Sequence, residues 1–130
     1  MRVVKVVGAV VWRNGKILAA KRAIGSKLGG CWEFPGGKIE AGETPKGALV
    51  REINEELNVR IEVGNKICTV LHEYDFAKIE LTTYQCEYVS GDFTLNDHDE
   101  STWLHPNELQ TVDWAPADLP TVSFLQEMNP

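Results

Sequence analysis

The segment from Gly37 to Val59, GKIEAGETPKGALVREINEELNV, constrains the chain more than any other. Thr44 is a side-chain N-cap candidate, and Pro45 falls at the first helical position, where its missing N–H costs nothing. Residues 46 to 57 then suit a helix, with Gly47 the weak point. On a wheel of about 100° per residue, Leu49, Val50, Ile53 and Leu57 gather on one side. Glu52, Glu55 and Glu56 gather within an arc of roughly 100° on another. Like charges three and four residues apart destabilise a helix, and a hard divalent cation with its preference for oxygen ligands removes that penalty. Gly36, Gly37 and Gly42 precede the helix and permit close backbone approach. Loop and helix together therefore read as a metal and phosphate site.

An isolated Arg-Glu-x-x-Glu-Glu is ordinarily a solvated acidic face. Here it sits in a longer pattern: Gly37, five residues, Glu43, seven residues, then Arg51-Glu52-Ile53-Asn54-Glu55-Glu56. This resembles the Nudix hydrolase signature across its whole length. One position departs, because Asn58 stands where that family usually has glycine. The position reads as a helix C-cap, and asparagine is the next most tolerant residue for a left-handed backbone.

The 130 residues are expected to form one domain with a substantial core. A net charge of −6 and a pI of about 5.0 argue against a nucleic-acid polymer or an anionic membrane as partner. They do not argue against a phosphorylated small molecule, since a bound metal inverts the local charge. No apolar run reaches transmembrane length and the start has no signal-peptide layout, so a cytoplasmic location is expected. Cys31, Cys68 and Cys86 lack metal-ligand spacing and fit a reducing compartment, as packing residues.

Val3 to Trp12 reads as a buried strand, Asn14-Gly15 as a hairpin turn, and Lys16 to Arg22 as the returning strand. Arg22 is either a solvated strand end or a functional cation. Ala23 to Gly30 is a loop. Trp32 and Phe34 alternate with Glu33 on a short strand, as core or as a base-stacking surface. Lys38 is placed to pair with phosphate or with a glutamate. Arg60 to Gly64 reads as a short strand, and Lys66 to Phe76 with Ile79 to Val89 as an antiparallel pair turning near Ala77-Lys78. Along the second of these, Tyr84, Cys86 and Tyr88 share a face. Gly91 to Thr102 is a polar, acidic loop before a short strand at Trp103-Leu104. The segment Ala115 to Pro120 is expected to open the last helix, which runs to about Met128, with Val122, Leu125, Phe124 and Met128 inward and Asp118 a natural N-cap. Short β-runs with two helices indicate an α+β layered domain.

The family resemblance implies a sharper set of expectations. The fold would be an α/β/α sandwich with a mixed sheet between helices. Glu52, Glu55 and Glu56, with a carbonyl near Gly36 or Gly37, would hold Mg²⁺, or Mn²⁺ in its place. A further carboxylate would come from the loop before a strand, with Asp97 the first candidate and Glu100 the second. Arg51 would orient a glutamate such as Glu43. A carboxylate of the cluster or Asp97 would accept the proton of the attacking water. The WEFPGGKIEAGE segment and the Ala-Pro-Ala-Asp-x-Pro end at residues 115–120 are similar to the MutT-type or CTP-pyrophosphohydrolase-type branch. That likeness implies hydrolysis of a nucleoside triphosphate to monophosphate and pyrophosphate, with Arg22, Phe34 and Asp118 lining the nucleotide pocket. (d)CTP, oxidised dCTP and 8-oxo-dGTP are the expected substrates, and an ionised Asp118 would accept from an exocyclic amino group. Two rival readings are a Nudix hydrolase of nucleotide sugars or dinucleotides and a non-catalytic Nudix binding module. The second conflicts with the presence of all four glutamates. A monomer or homodimer is expected.

Overall fold

A computed structural model describes residues 2–128. Chain order is β1 (Val3–Arg13), β2 (Lys16–Arg22), β3 (Trp32–Glu33), β4 (Gly36–Lys38), α1 (Pro45–Leu57), β5 (Arg60–Glu73), β6 (Lys78–Ser90), β7 (His98–Leu104) and α2 (Leu119–Met128). Two 3₁₀ turns, Pro106–Thr111 and Pro116–Asp118, precede α2. The strands form one mixed sheet with the path β3-β2-β1-β6-β5, while β4 pairs with β1 and β7 with β2. The β1–β6 pairing is parallel and the others between named strands are antiparallel.

β1 is apolar without a break because both faces of its middle are covered. Val7, Ala9 and Val11 pack with Ala48, Leu49, Ile53 and Leu57 of α1. Val10, with Ile17 and Ala19 of β2, packs on the opposite side with Leu109, Trp114, Val122 and Leu125. The sheet thus lies between helices, as the resemblance implied. Asn14 and Gly15 both have positive φ, 54° and 76°, the geometry a two-residue hairpin demands.

Several expectations are corrected. Val50, assigned to the inner face of α1, is 39% exposed; Ala48 is buried in its place. Phe124 and Met128 are also exposed, so only Val122 and Leu125 of the four carry the α2 contact. The two segments expected across 60–76 are one strand, β5, with register shifts between Val63 and Cys68 that let it bend without ending. Its turn lies at Tyr74–Ala77, where the Tyr74 N–H donates to the Ala77 carbonyl at 2.9 Å. β7 begins at His98 rather than Trp103, since the polar run His98 to Thr102 is paired along β2 and hydrogen-bonded there irrespective of its hydropathy.

Candidate active site

Thr44 caps α1 as expected, accepting from the Gly47 N–H at 3.0 Å with Pro45 next. Asn58 ends the helix in the left-handed region at φ 57°. The last carbonyls of a helix have no partner within it. Here the 91–97 segment supplies donors: Thr94 N–H to Leu57 O at 2.9 Å, Asn96 N–H to Glu56 O at 3.0 Å, and the Asn96 side chain to Glu55 O at 2.7 Å. Gly91 passes so close to the Asn58 carbonyl that a Cβ would collide with it. This docking brings Asp97 close enough to Glu56 to influence its titration.

Glu56 is 8% exposed, and its Oε2 has no hydrogen-bond partner among the described residues. Burial pushes its carboxyl up to about 9, reinforced by the charges of Glu33, Glu52 and Asp97 and by a hydrogen bond with Glu52. Glu33, Glu52 and Asp97 thus lie within electrostatic reach of Glu56. Glu55 stands apart, its side chain 59% exposed on the outer flank of Arg51. Glu100, the second candidate for the loop carboxylate, instead pairs with Lys21 at 3.1 Å.

Arg51 is fully committed. Nε and Nη2 grip Glu43 at 2.6 and 2.8 Å, Nη1 donates to Glu52 at 2.8 Å and Glu55 at 3.2 Å, and Nη2 reaches the Lys38 carbonyl at 3.1 Å. A guanidinium has five N–H donors, and five acceptors are in place. The Arg51 hydrogen bonds, with one from the Glu40 backbone, hold Glu43 down at about 2, and Glu43 in turn raises Arg51 further. Lys38 makes no side-chain ion pair among the described residues and lines the adjoining cavity.

Gly36 and Gly37 pair with Gly8 and Val7 of β1. A Cβ on Gly36 would overlap the Val7 carbonyl, and one on Gly37 would overlap the Glu52 carboxylate. The backbone overlap requires glycine at Gly36, whereas at Gly37 a Cβ would have to push the Glu52 carboxylate aside. Among the described residues no three carboxyl, imidazole or thiol groups are gathered into a preset metal cage, because Arg51 draws Glu52 and Glu55 to itself. The donor set nevertheless suits a hard cation: all oxygen, partly buried, mutually repelling, with one orphaned carboxylate oxygen and a glycine held against Glu52.

Beside this cluster lies a cavity of about 380 Å³. Its floor is apolar, with Val4, Val6, Phe34, Ile79 and Leu81, and Arg22 and Asp118 add polar groups. Phe34 is 3% exposed with its ring 4.5 Å from that of Trp114, so it is a wall of the core as well as of the cavity. β3 is stitched to the 113–115 segment by Trp32 N–H to Asp113 O and Ala115 N–H to Trp32 O, both 2.8 Å. That stitch places Asp118 beside Phe34. Asp118 is 5% exposed, and burial, with Glu33 nearby, pushes its carboxyl well above the usual range despite the Phe34 backbone N–H and Arg22. The carboxyl is buried in the last 3₁₀ turn, with its own N–H donating to Ala115 O at 2.9 Å.

Arg22 donates through Nη1 to Glu33 at 3.0 Å and through Nε to the Lys27 carbonyl at 2.7 Å. Glu33 and His98 went unrecognised in the sequence. The signal for Glu33 was present, a lone acid between two core aromatics just before Pro-Gly-Gly. Nothing local marked His98, whose partner is 65 positions away.

A mixed sheet between helices, with glycine-edged carboxylates at one helix, is an arrangement that suits hydrolysis of a phosphate anhydride. The NUDIX domain model matches residues 2–125, and the chain belongs to the Nudix family. It is 37% identical over 129 residues to the CTP pyrophosphohydrolase of Escherichia coli K12, covering 99% of this chain and 96% of that protein. It is 30% identical over 122 residues to the 8-oxo-dGTP diphosphatase of the same strain, covering 94% and 95%. The solution structure of a MutT protein from methicillin-resistant Staphylococcus aureus 252 aligns with a TM-score of 0.81 at 45% identity, covering 99% of this chain and all of that one. The protein is an enzyme of the Nudix hydrolase class, a family that acts on small nucleotide substrates with a divalent metal. Among the described residues no helix is long and apolar enough to cross a membrane.

Proposed function

We propose that this enzyme is a Mg²⁺-dependent nucleoside triphosphate pyrophosphohydrolase that clears CTP-like or oxidised nucleotides from the pool. The observation that carries the reading is the adjacency of two unlike chambers: a carboxylate cluster around Glu56, and an apolar cavity that holds one buried acid, Asp118. The two chambers match the two ends of a nucleotide. Its relatives named CTP pyrophosphohydrolase and 8-oxo-dGTP diphosphatase support the same substrate class.

Glu52, Glu55, Glu56 and Asp97, with the carbonyl of Gly37, would hold the metal. When bound, the metal neutralises charge on the phosphates and increases the acidity of water. Glu43 and Arg51 hold the cluster in position. The reaction adds water across one anhydride, giving monophosphate and pyrophosphate, and a cluster carboxylate or Asp97 takes the proton released. Lys38, at the cluster end of the cavity, meets the phosphates. Arg22, Phe34 and Asp118 hold the base.

The burial of Asp118 changes the expected recognition. A neutral carboxyl offers an O–H donor beside an acceptor. That pair complements the N3 and amino edge of cytosine, and equally the O6 and N7–H edge of an 8-oxopurine. Ordinary guanine presents two acceptors on that edge and fits less well. Incubation with Mg²⁺ and a panel of normal and oxidised nucleoside triphosphates tests the reading. Monophosphate and pyrophosphate from one or two members, lost with EDTA, are expected. Faster turnover of nucleotide sugars or dinucleotides than of any triphosphate would overturn it.

A further inference from the structure

Glu33 borders both chambers: it lines the cavity, and its charge reaches Glu56. Its side chain is 17% exposed on β3. One oxygen accepts from Arg22 Nη1 at 3.0 Å, and the other lies 2.9 Å from His98 Nε2. The His98 side chain is only 4% exposed, and its Nδ1 has no partner among the described residues, so Glu33 is the hydrogen-bonding contact that fixes the ring. After burial itself, Glu33 is the largest influence raising both Glu56 and Asp118, which places its charge within reach of each. Each carboxylate oxygen has two acceptor directions. With one direction used at each, Glu33, which lines the cavity, keeps two acceptor directions without a hydrogen bond among the described residues.

A nucleotide lying with its base at Asp118 and its phosphates toward Gly37 and Lys38 must place its sugar between them. We propose that Glu33 reads that sugar, accepting a hydrogen bond from a ribose or deoxyribose hydroxyl while Arg22 and His98 hold the carboxylate in place. This rests on the nucleotide reading above. A carboxylate that served only to tie β3 to β7 would be indifferent to the sugar, and this difference separates the two roles.

The test compares ribo-, 2′-deoxy- and 2′,3′-dideoxynucleoside triphosphates of the preferred base in the wild type, Glu33→Gln and Glu33→Ala. In the wild type, removing both hydroxyls is expected to raise KM about tenfold, the scale of a hydrogen bond to a charged group, and to leave kcat within about threefold. In Glu33→Ala the three sugars converge to within about twofold, and Glu33→Gln, which keeps one acceptor and the side-chain volume, falls between. Calorimetry with the matching nucleoside monophosphates in EDTA should show the same convergence without turnover. If Glu33→Ala does not fold, the glutamine variant and the wild-type sugar series decide. A wild type blind to the hydroxyls, or an alanine variant that keeps the full discrimination, would overturn the assignment of Glu33 alone. A wild type that neither binds nor hydrolyses any of these nucleotides would overturn the nucleotide reading with it.

Discussion

The carboxylate cluster and the cavity beside it answer the same problem, a buried acid, in opposite ways. At Glu56 the acid is crowded by Glu33, Glu52 and Asp97 and has an oxygen without a partner. At Asp118 the acid is nearly alone among apolar side chains, and the Phe34 backbone N–H and Arg22 partly offset its burial. Crowded acids are relieved by a cation, which can draw ligands from all of them at once. An isolated, well-seated acid is relieved by remaining protonated, and then it reads hydrogen-bonding patterns. One kind of side chain therefore serves catalysis at one end and recognition at the other, and the neighbours decide which.

The widest separation between the two should come from Glu56→Gln. Losing one preorganised electrostatic group costs on the order of 10³ in kcat, with affinity for the base end unchanged. Stability should move the other way. The folded-state pKa of Glu56 is raised from 4.5 to about 9. Above about pH 4.5 the unfolded chain releases a proton that the folded chain keeps, so wild-type stability in EDTA declines as pH rises from about 4.5 toward 9. The glutamine variant lacks this decline and should melt several degrees higher at pH 8, since ~1 kcal/mol is roughly 4 °C in a domain of this size. A variant with kcat within tenfold of wild type would break the assignment of Glu56.

Asp118 sharpens the contrast from the other side. Asp118→Ala should lower kcat/KM for the preferred nucleotide about 10²-fold and flatten the choice among bases, because a buried polar contact sets discrimination there. Asp118→Asn keeps a donor beside an acceptor and should retain activity within about tenfold. A loss in the asparagine variant as deep as in alanine would mean that Asp118 acts as an ion and that recognition does not rest on its neutral form.

How far these roles could be read in advance follows from how local their causes are. Thr44, Pro45 and Asn58 announced both ends of α1, because capping involves only neighbouring residues. The Asn14-Gly15 turn was legible for the same reason. Val50 and Met128 were misplaced because helical periodicity identifies a stripe but not its width, which is set by what packs opposite. His98 to Thr102, the first part of β7, reads as loop because its pairing with β2 joins residues about 80 positions apart. A similar distance, 65 positions, hid the role of His98. For Asp118 the sequence left the ionised and protonated forms open in principle, and only burial in the fold, with Glu33 nearby, pushes its carboxyl toward the protonated form.

The Arg51–Glu43 clamp should yield a smaller effect, visible with pH. The folded-state pKa of Glu43 is lowered from 4.5 to about 2. Its contribution is therefore complete above about pH 4.5 and is lost as pH falls toward 2. Glu43→Gln should flatten the acid limb of a stability profile measured in EDTA and leave the region above pH 5 parallel to wild type. Because the pair holds Glu52 through Arg51, kcat at neutral pH should also fall, by about tenfold, as for other residues that support metal ligands. An unchanged acid limb would show that the clamp does not act on stability.

The smallest effect is expected at Asn58, and it bears on how the two chambers are kept in register. Asn58 occupies a left-handed conformation that glycine adopts without strain. Its side chain, however, donates to the Asp92 carbonyl at 3.0 Å, at the start of the segment that carries Asp97 to Glu56. Asn58→Gly relieves the backbone but loses that bond, worth about 0.5–1.5 kcal/mol, and adds freedom to the unfolded chain. These terms nearly cancel, so chemical denaturation should shift by less than about 1 kcal/mol. Asn58→Ala keeps the backbone strain and loses the bond, and should cost about 1–2 kcal/mol more than glycine does. Both variants free the 92–97 segment at one end, so both should lower kcat severalfold with little change in KM. Equal kcat in wild type and glycine variant would mean that the Thr94 and Asn96 bonds to the last carbonyls of α1 suffice to anchor Asp97, and that the asparagine cap serves the helix only.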